Sequence, residues 1–172
     1  FGLRVYPGVQ ADPPTAGGLP WPLAISMDPR VTRLKSPAEC ESFAQNARER
    51  GAPGLADQAR KRAVQLRAEA HGANTEAERE CLEAVYAYEE VLSVNKGRRQ
   101  PASRTWQMIH RHGIIPAVER IVTKRAESAG YTALAQMGLL EMAFESVVLR
   151  YPDLFSAEAI ARSRERMEGL SG

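Results

Sequence analysis

From Ser36 onward the apolar residues of this chain recur at intervals of three and four, and a glycine, a proline or a capping hydroxyl separates one such run from the next. An α-helix turns once in 3.6 residues, so this spacing lays apolar side chains along one face, whereas a half-buried strand needs alternation with period two. No segment alternates long enough to compete as a strand. The pattern predicts an all-α domain, a compact bundle of about six or seven helices over residues 36–168. A chain of 172 residues suits one hydrophobic core. Its wealth of Ala, Glu and Arg favours helix at exposed positions as well.

The punctuation places the individual helices. Ser36, Pro37 and Glu39 fit an N-cap, a first-turn proline and the acid of a capping box, with Gly51 as the stop. They predict a helix over 37–50 that buries Cys40, Phe43, Ala44 and Ala47. After the GAPG turn a second helix, 54–71, carries Leu55, Ala59, Ala63, Leu66 and Ala70 on one stripe. So short a connection makes the two an antiparallel hairpin, and the small residues let the axes approach closely. Thr75 and Glu78 open a third helix of about 20 residues, with Cys81, Val85, Tyr88 and Leu92 towards the core and Glu76, Glu80, Glu83 and Glu90 pointing away. Tyr86 lies on another face of it, at a groove or helix interface. Shorter helices follow. One, 104–112, is capped by Ser103 and buries Trp106 and Ile109. The next has Pro116 in its first turn and buries Ile115, Val118, Ile121 and Val122. A third lies near 131–137, a fourth runs through Leu140, Phe144, Val147, Val148 and Tyr151 to a stop at Pro152, and the last begins after Ser156.

Residues 1–26 hold five of the eleven prolines and four of the thirteen glycines and show no periodicity. Residues 1–35 are therefore expected to form a disordered tail, with Met27 as a candidate natural start and Trp21, between two prolines, as a candidate docking residue. Cys40 and Cys81 sit on apolar stripes without a C-x-x-C spacing, the pattern of buried, reduced thiols in a cytoplasmic protein. No apolar run reaches the roughly 20 residues of a membrane span. The N-terminal stretch also lacks the basic and apolar regions of a signal peptide, so no membrane partner is expected.

The charge is small in sum and uneven in distribution. Lys plus Arg number 23 against 21 for Asp plus Glu, a net of +2. Between Lys96 and Arg125, however, eight basic residues face one acid, Glu119, so this segment carries +7 and the remainder −5. Two helices joined by a glycine turn, SRTWQMIHRHG and IIPAVERIVTKR, have the length of a helix-turn-helix unit, preceded by the loop GRRQPAS. Arg98, Arg99, Arg104, Arg111, Lys124 and Arg125 are the candidate phosphate contacts, and Gln107 is a candidate for a base edge, as are Gln100 and the histidines. Against a duplex-reading unit, the second helix opens on Ile-Ile-Pro-Ala instead of polar residues. DNA or RNA is the first expected partner. The alternatives are an acidic protein partner that meets the basic face, or arginines that pair internally with the acidic helix 75–94.

Chemistry-bearing patterns are sparse. His110 and His112, two apart, project about 200° from each other on a helix and cannot form a two-histidine metal face. Carboxylates such as Glu76/Glu80 and Glu89/Glu90 follow solvated-surface spacing, and no E-x-x-H, G-x-S-x-G, P-loop or dinucleotide fingerprint occurs. No catalytic residue, metal site or cofactor is expected, and the domain reads as a non-catalytic binding module.

Residues 42–70, SFAQNARERGAPGLADQARKRAVQLRAEA, resemble a single tetratricopeptide-type helical hairpin, with small facing residues and a glycine turn. From RTWQMIHRHGIIPAVERIV through GYTALAQMGLLEMAFESVVLRYPDLFSAEAIARSRERM the chain resembles uncharacterised all-helical bacterial proteins. That resemblance implies a bacterial, cytoplasmic helical domain and assigns no activity or site.

Overall fold

The computed structural model describes residues 26–124 and 129–169, so the proline-rich stretch 1–25, Trp21 and Arg125 lie outside the described residues. Among the described residues every regular element is helical, nine α-helices and two short 3-10 turns, and the all-α expectation holds. The bundle is more finely divided than six or seven helices.

The packed chain starts before Ser36. Helix α1 (Pro29–Thr32) is capped by the Asp28 carboxylate, which accepts from the Arg30 amide, and Val31 is fully buried. The Asp28 amide donates to Gln58 Oε1 at 2.7 Å, which ties this short element to α3 (Pro53–His71). Helix α2 (Pro37–Glu49) begins as its sequence predicts, with the Glu39 amide donating to Ser36 Oγ at 3.2 Å. The returning bond of the capping box goes to the Lys35 amide instead of the N-cap's own. Helices α2 and α3 pair through Ala44, Ala47, Ala56 and Ala59, with Val31 closing the cluster.

Helix α3 is rotated from its expected stripe: Ala56, Ala59, Ala63, Val64 and Ala68 are buried and Ala70 is exposed. The reason is that α3 serves two neighbours. Its first half meets α2, and Val64 joins Ala87 and Val91 of α4 (Glu76–Lys96).

Helix α4 is the central element, touching α3 on one side and α6, α7 and α8 on others. It starts in the same way as α2: Thr75 Oγ1 accepts from the Glu78 amide, and Glu78 accepts from the amide of Asn74, the residue before the N-cap. Because neighbours surround it, α4 buries more than the predicted stripe, including Leu82, Ala84 and two carboxylates, Glu83 and Glu89. Glu83 was expected to point to solvent. It is instead carried inward with Arg79, one turn earlier, as its ion-pair partner. The helix stops at Gly97, whose φ of +65° is a left-handed conformation that favours glycine.

The second half of the chain wraps around α4. Helix α5 (Ser103–His112) begins one residue earlier than predicted, with Ala102 at the cap position and Ser103 already helical. A single residue, Gly113 at φ +85°, joins it to α6 (Ile114–Val122). Helix α7 (Ala129–Gln136) is followed by a 3-10 turn at Leu140–Met142 and by α8 (Phe144–Arg150). One continuous helix was expected across the last two. Extended backbone at Ala143 interrupts it, and the Ser146 hydroxyl donates to the Leu140 carbonyl across the break. Helix α9 (Ala157–Gly169) closes the bundle, with the Ser156 hydroxyl accepting from the Ala159 amide. Val118 and Val122 of α6, Val147 and Val148 of α8, and Ala159 of α9 enclose Cys81. Both cysteines are buried and unpaired, and burial pushes the Cys81 thiol up to about 12, so it is a core residue and not a nucleophile. No described helix is long and apolar enough to cross a membrane.

Candidate nucleic-acid interface

The basic segment is built on the C-terminal half of α4. Ser93 Oγ donates to the Glu89 carbonyl at 2.6 Å and accepts from the Gln100 amide at 3.0 Å. Glu89 Oε1 accepts from the Ala102 amide at 2.9 Å and from the Trp106 indole at 2.6 Å. Two side chains one turn apart on α4 thus fix the loop 97–102 at two points and fix the ring that follows it. A buried carboxylate needs such partners, because desolvating it without hydrogen bonds is costly. The spacing of Glu89 and Glu90 suggested a solvated face. Glu89 is in fact 7% exposed, since the loop folds over it.

Trp106 packs on Val85, Ala102, Ile109 and Ala117. His71, the last residue of α3, lies over the indole with ring centres 4.8 Å apart and planes at 20°. Tyr86 of α4 packs obliquely on the same indole at 5.3 Å, and its hydroxyl lies 3.2 Å from His71 Nδ1. His110, one turn beyond Trp106, is 6.5 Å from it. The interface expected for Tyr86 is therefore this aromatic cluster. Burial first, and then the Glu89 charge, push the Tyr86 phenol up from its ordinary value, while Arg67 and Arg99 pull it down. The loop arginine and the aromatic cluster thus lie within electrostatic reach of each other.

Arg98, Arg99, Arg104, Gln107, Arg111 and Lys124 are all exposed, as are Lys96 and Arg120. On α5, Arg104, Gln107 and Arg111 follow at intervals of three and four and share one stripe. Arg120 and Lys124 form a second stripe along and just beyond α6. Lys124 also offers its carbonyl to Arg166 Nη2 at 2.6 Å. None of these basic side chains is in an ion pair with a described residue; the pairs that exist use Arg30, Lys61, Arg62, Arg67, Arg79, Arg150, Arg162 and Arg166.

The acidic helix is satisfied by other means. Glu76 and Glu83 pair with Arg79, Glu80 with Arg150, and Glu90 with Arg67, while Glu78 caps its own helix and Glu89 holds the loop. All six carboxylates of α4 are therefore occupied without drawing on a basic side chain of the segment 96–125. Glu119, the single acid within that segment, is turned towards Ser156, accepting from its amide at 3.2 Å and from its hydroxyl. The alternative in which the arginines pair with helix 75–94 is not what the described residues form.

The helix-turn-helix likeness ends at its second helix. Ala117, Val118 and Val122 are buried against the core and Ile114 and Ile115 are half-buried, so α6 offers no polar N-terminal face to a major groove. His71 and Tyr86 were not tied to this site by the sequence; His71 is 35 residues away from Trp106 and only the return of α3 beside α5 unites them. A groove of about 400 Å³ lies elsewhere, lined by Glu41, Arg48, Glu49, Arg60 and Glu90. Among the described residues no three His, Cys, Asp or Glu side chains gather as a metal would require. Comparison of the chain with protein-family models, curated proteins and solved structures finds no match to any of them.

Proposed function

We propose that this protein is a non-catalytic binding module whose ligand is nucleic acid, held through the loop 97–102 and the exposed stripe of α5, with Arg120 and Lys124 extending the contact. The observation that carries this reading is the asymmetry of pairing. Every carboxylate of the adjacent acidic helix has a partner, while Arg98, Arg99, Arg104 and Arg111 have none among the described residues. Cations left unpaired on an anchored loop and an adjoining helix are suited to a polyanion, because phosphates supply the missing counter-charge and release condensed ions as they do so. Gln107, on the same stripe, is placed to bond a base or sugar edge.

The test is fluorescence anisotropy with labelled single-stranded and duplex DNA and RNA at about 50 and 200 mM salt, beside an Arg98→Ala/Arg99→Ala/Arg104→Ala variant. The expected result is binding that weakens with salt with a log–log slope of about −0.7 to −0.9 per phosphate contacted. The variant should lower both affinity and slope. Absence of binding to all four ligands would reject nucleic acid and transfer the basic face to an acidic protein partner.

A further inference from the structure

We infer that the strand this surface takes is single-stranded, and that an unpaired base stacks on the outer face of His71, continuing the Trp106–His71 stack. This rests on the nucleic-acid reading above and adds to it the form of the ligand.

The argument begins with how the rings are held. The Trp106 indole N–H is bonded to Glu89 Oε1, and Tyr86 packs against the same ring, so the indole has one orientation. His71 is stacked on that fixed ring, and the Tyr86 hydroxyl at its Nδ1 fixes the imidazole in turn. His71 is nevertheless an exposed residue. One ring face lies on the indole, and no other described ring is stacked on the opposite face. A flat ring presented to solvent in a fixed orientation is a stacking platform, and every base has a face that fits it.

The platform adjoins the unpaired cations. Residues on a helix advance by about 100° each, so on α5 Trp106, His110, Gln107 and Arg111 follow one another around the surface at steps of about 40 to 60°. His110 thus bridges from the aromatic cluster to the basic stripe, and Arg98 and Arg99 arrive from the loop whose end the same Glu89 oxygen holds. Aromatic rings beside a basic track are the arrangement that binds single strands, since a backbone can follow the cations while its bases turn to the rings. A duplex keeps its bases stacked inside and cannot use the platform. The core-facing α6 also cannot serve as the recognition helix of a helix-turn-helix unit in a major groove.

The experiment uses the full chain with Trp21→Phe, which leaves Trp106 as its one tryptophan reporter. Three probes with the same number of phosphates per strand are compared: single-stranded dT12, a 12-base-pair duplex titrated per strand, and an abasic 12-mer with the same backbone. The expected result is tighter binding of dT12 than of the abasic strand, with quenching of Trp106 only by dT12. His71→Ala should weaken dT12 by about fivefold or more and leave the abasic strand unchanged, while His71→Phe, which restores a flat ring, should recover most of the loss. Thermal unfolding of each variant confirms that the fold is retained. Equal affinity for dT12 and the abasic strand, with no effect of His71→Ala, would overturn the stacking inference and leave the basic surface standing. Failure of all three probes, and of single-stranded and duplex RNA of the same length, to bind would overturn both.

Discussion

Glu89 is where substitution separates anchoring of the loop from incidental contact. Its two hydrogen bonds, from the Ala102 amide and the Trp106 indole, end on the same oxygen. A carbonyl oxygen has two lone pairs, so Glu89→Gln keeps an acceptor for both donors and loses only the strengthening given by charge, about 1 kcal/mol. Glu89→Ala removes the acceptor altogether. The Ala102 amide, in a residue 5% exposed, is then stranded, at a cost of about 1–3 kcal/mol. The half-buried indole recovers part of its loss from water, and the fold no longer has a carboxylate to desolvate. The expected net is about 2–3 kcal/mol. At about 2–4 °C per kcal/mol for a chain of this size, alanine should lower Tm by about 4–12 °C and glutamine by about 2–4 °C. Urea unfolding followed by far-UV circular dichroism gives the energies, and hydrogen exchange at the Ala102 amide gives the locality. That amide should exchange faster in Glu89→Ala and nearly as before in Glu89→Gln. Equal losses for the two variants, or an alanine loss below about 0.5 kcal/mol, would refute the role of Oε1 as the anchor.

Other perturbations test the fold around the site. Val31 is fully buried between α2 and α3, so Val31→Ala should cost about 1–3 kcal/mol in chemical unfolding. A chain beginning at Ser36 should lose more than that relative to one beginning at Met27, since Ala44, Ala47, Ala56 and Ala59 lose their cover; equal stability would place residues 27–35 outside the fold. Burial pushes Glu83 up to about 7, against the pull of Arg79. Its folded pKa lies above the ordinary 4.5, so the native state binds the extra proton between those values and stability falls as pH rises from about 4.5 to about 7. Glu83→Gln should flatten that fall in a series of urea titrations across the same range, and an unchanged slope would assign it to another group.

Much of the fold is legible from local chemistry. Ser36, Thr75 and Ser156 cap helices because their hydroxyls accept amides that the first turn cannot satisfy, and the residues on either side carry the signal. The break at Ala143 has no such signal, since neither glycine nor proline marks it and the apolar run continues through it. The buried stripe of α3 is displaced for a similar reason: a helix between two neighbours has two buried faces, and periodicity alone reports one. At the site the basic residues are visible as a run, and their exposure follows from their charge. What holds them is hidden. Glu89 stands beside Glu90 on an acidic helix, and only the loop that returns over it makes one buried and the other half-buried. His71 is equally silent, because stacking on a residue 35 positions away leaves no trace in spacing.

The pairing pattern also separates charges that serve the fold from charges that do not, and stability measurements distinguish the two. Arg67 joins Glu41 and Glu90 across three helices, so Arg67→Ala leaves a half-buried carboxylate unpaired and should destabilise by about 1–2 kcal/mol. Arg98, Arg99 and Arg104 join nothing among the described residues, and their neighbours in the segment are like charges. Arg104 and Arg111, seven residues apart on α5, are separated by about 10 Å along the axis, near the screening length of about 10 Å at 0.1 M salt. Their repulsion is therefore small at physiological ionic strength and grows as salt is removed. The Arg98→Ala/Arg99→Ala/Arg104→Ala variant should accordingly be as stable as the parent at about 200 mM salt and slightly more stable at about 20 mM, while losing the gain in Tm that saturating oligonucleotide confers. At a ligand concentration about 100 times Kd that gain corresponds to about 2.7 kcal/mol. Residues that weaken the free protein and strengthen the bound one are kept for the ligand and not for the fold. A triple variant destabilised by more than about 1 kcal/mol in both salts would show instead that these arginines hold the structure together, and the functional reading of the segment would fall with that result.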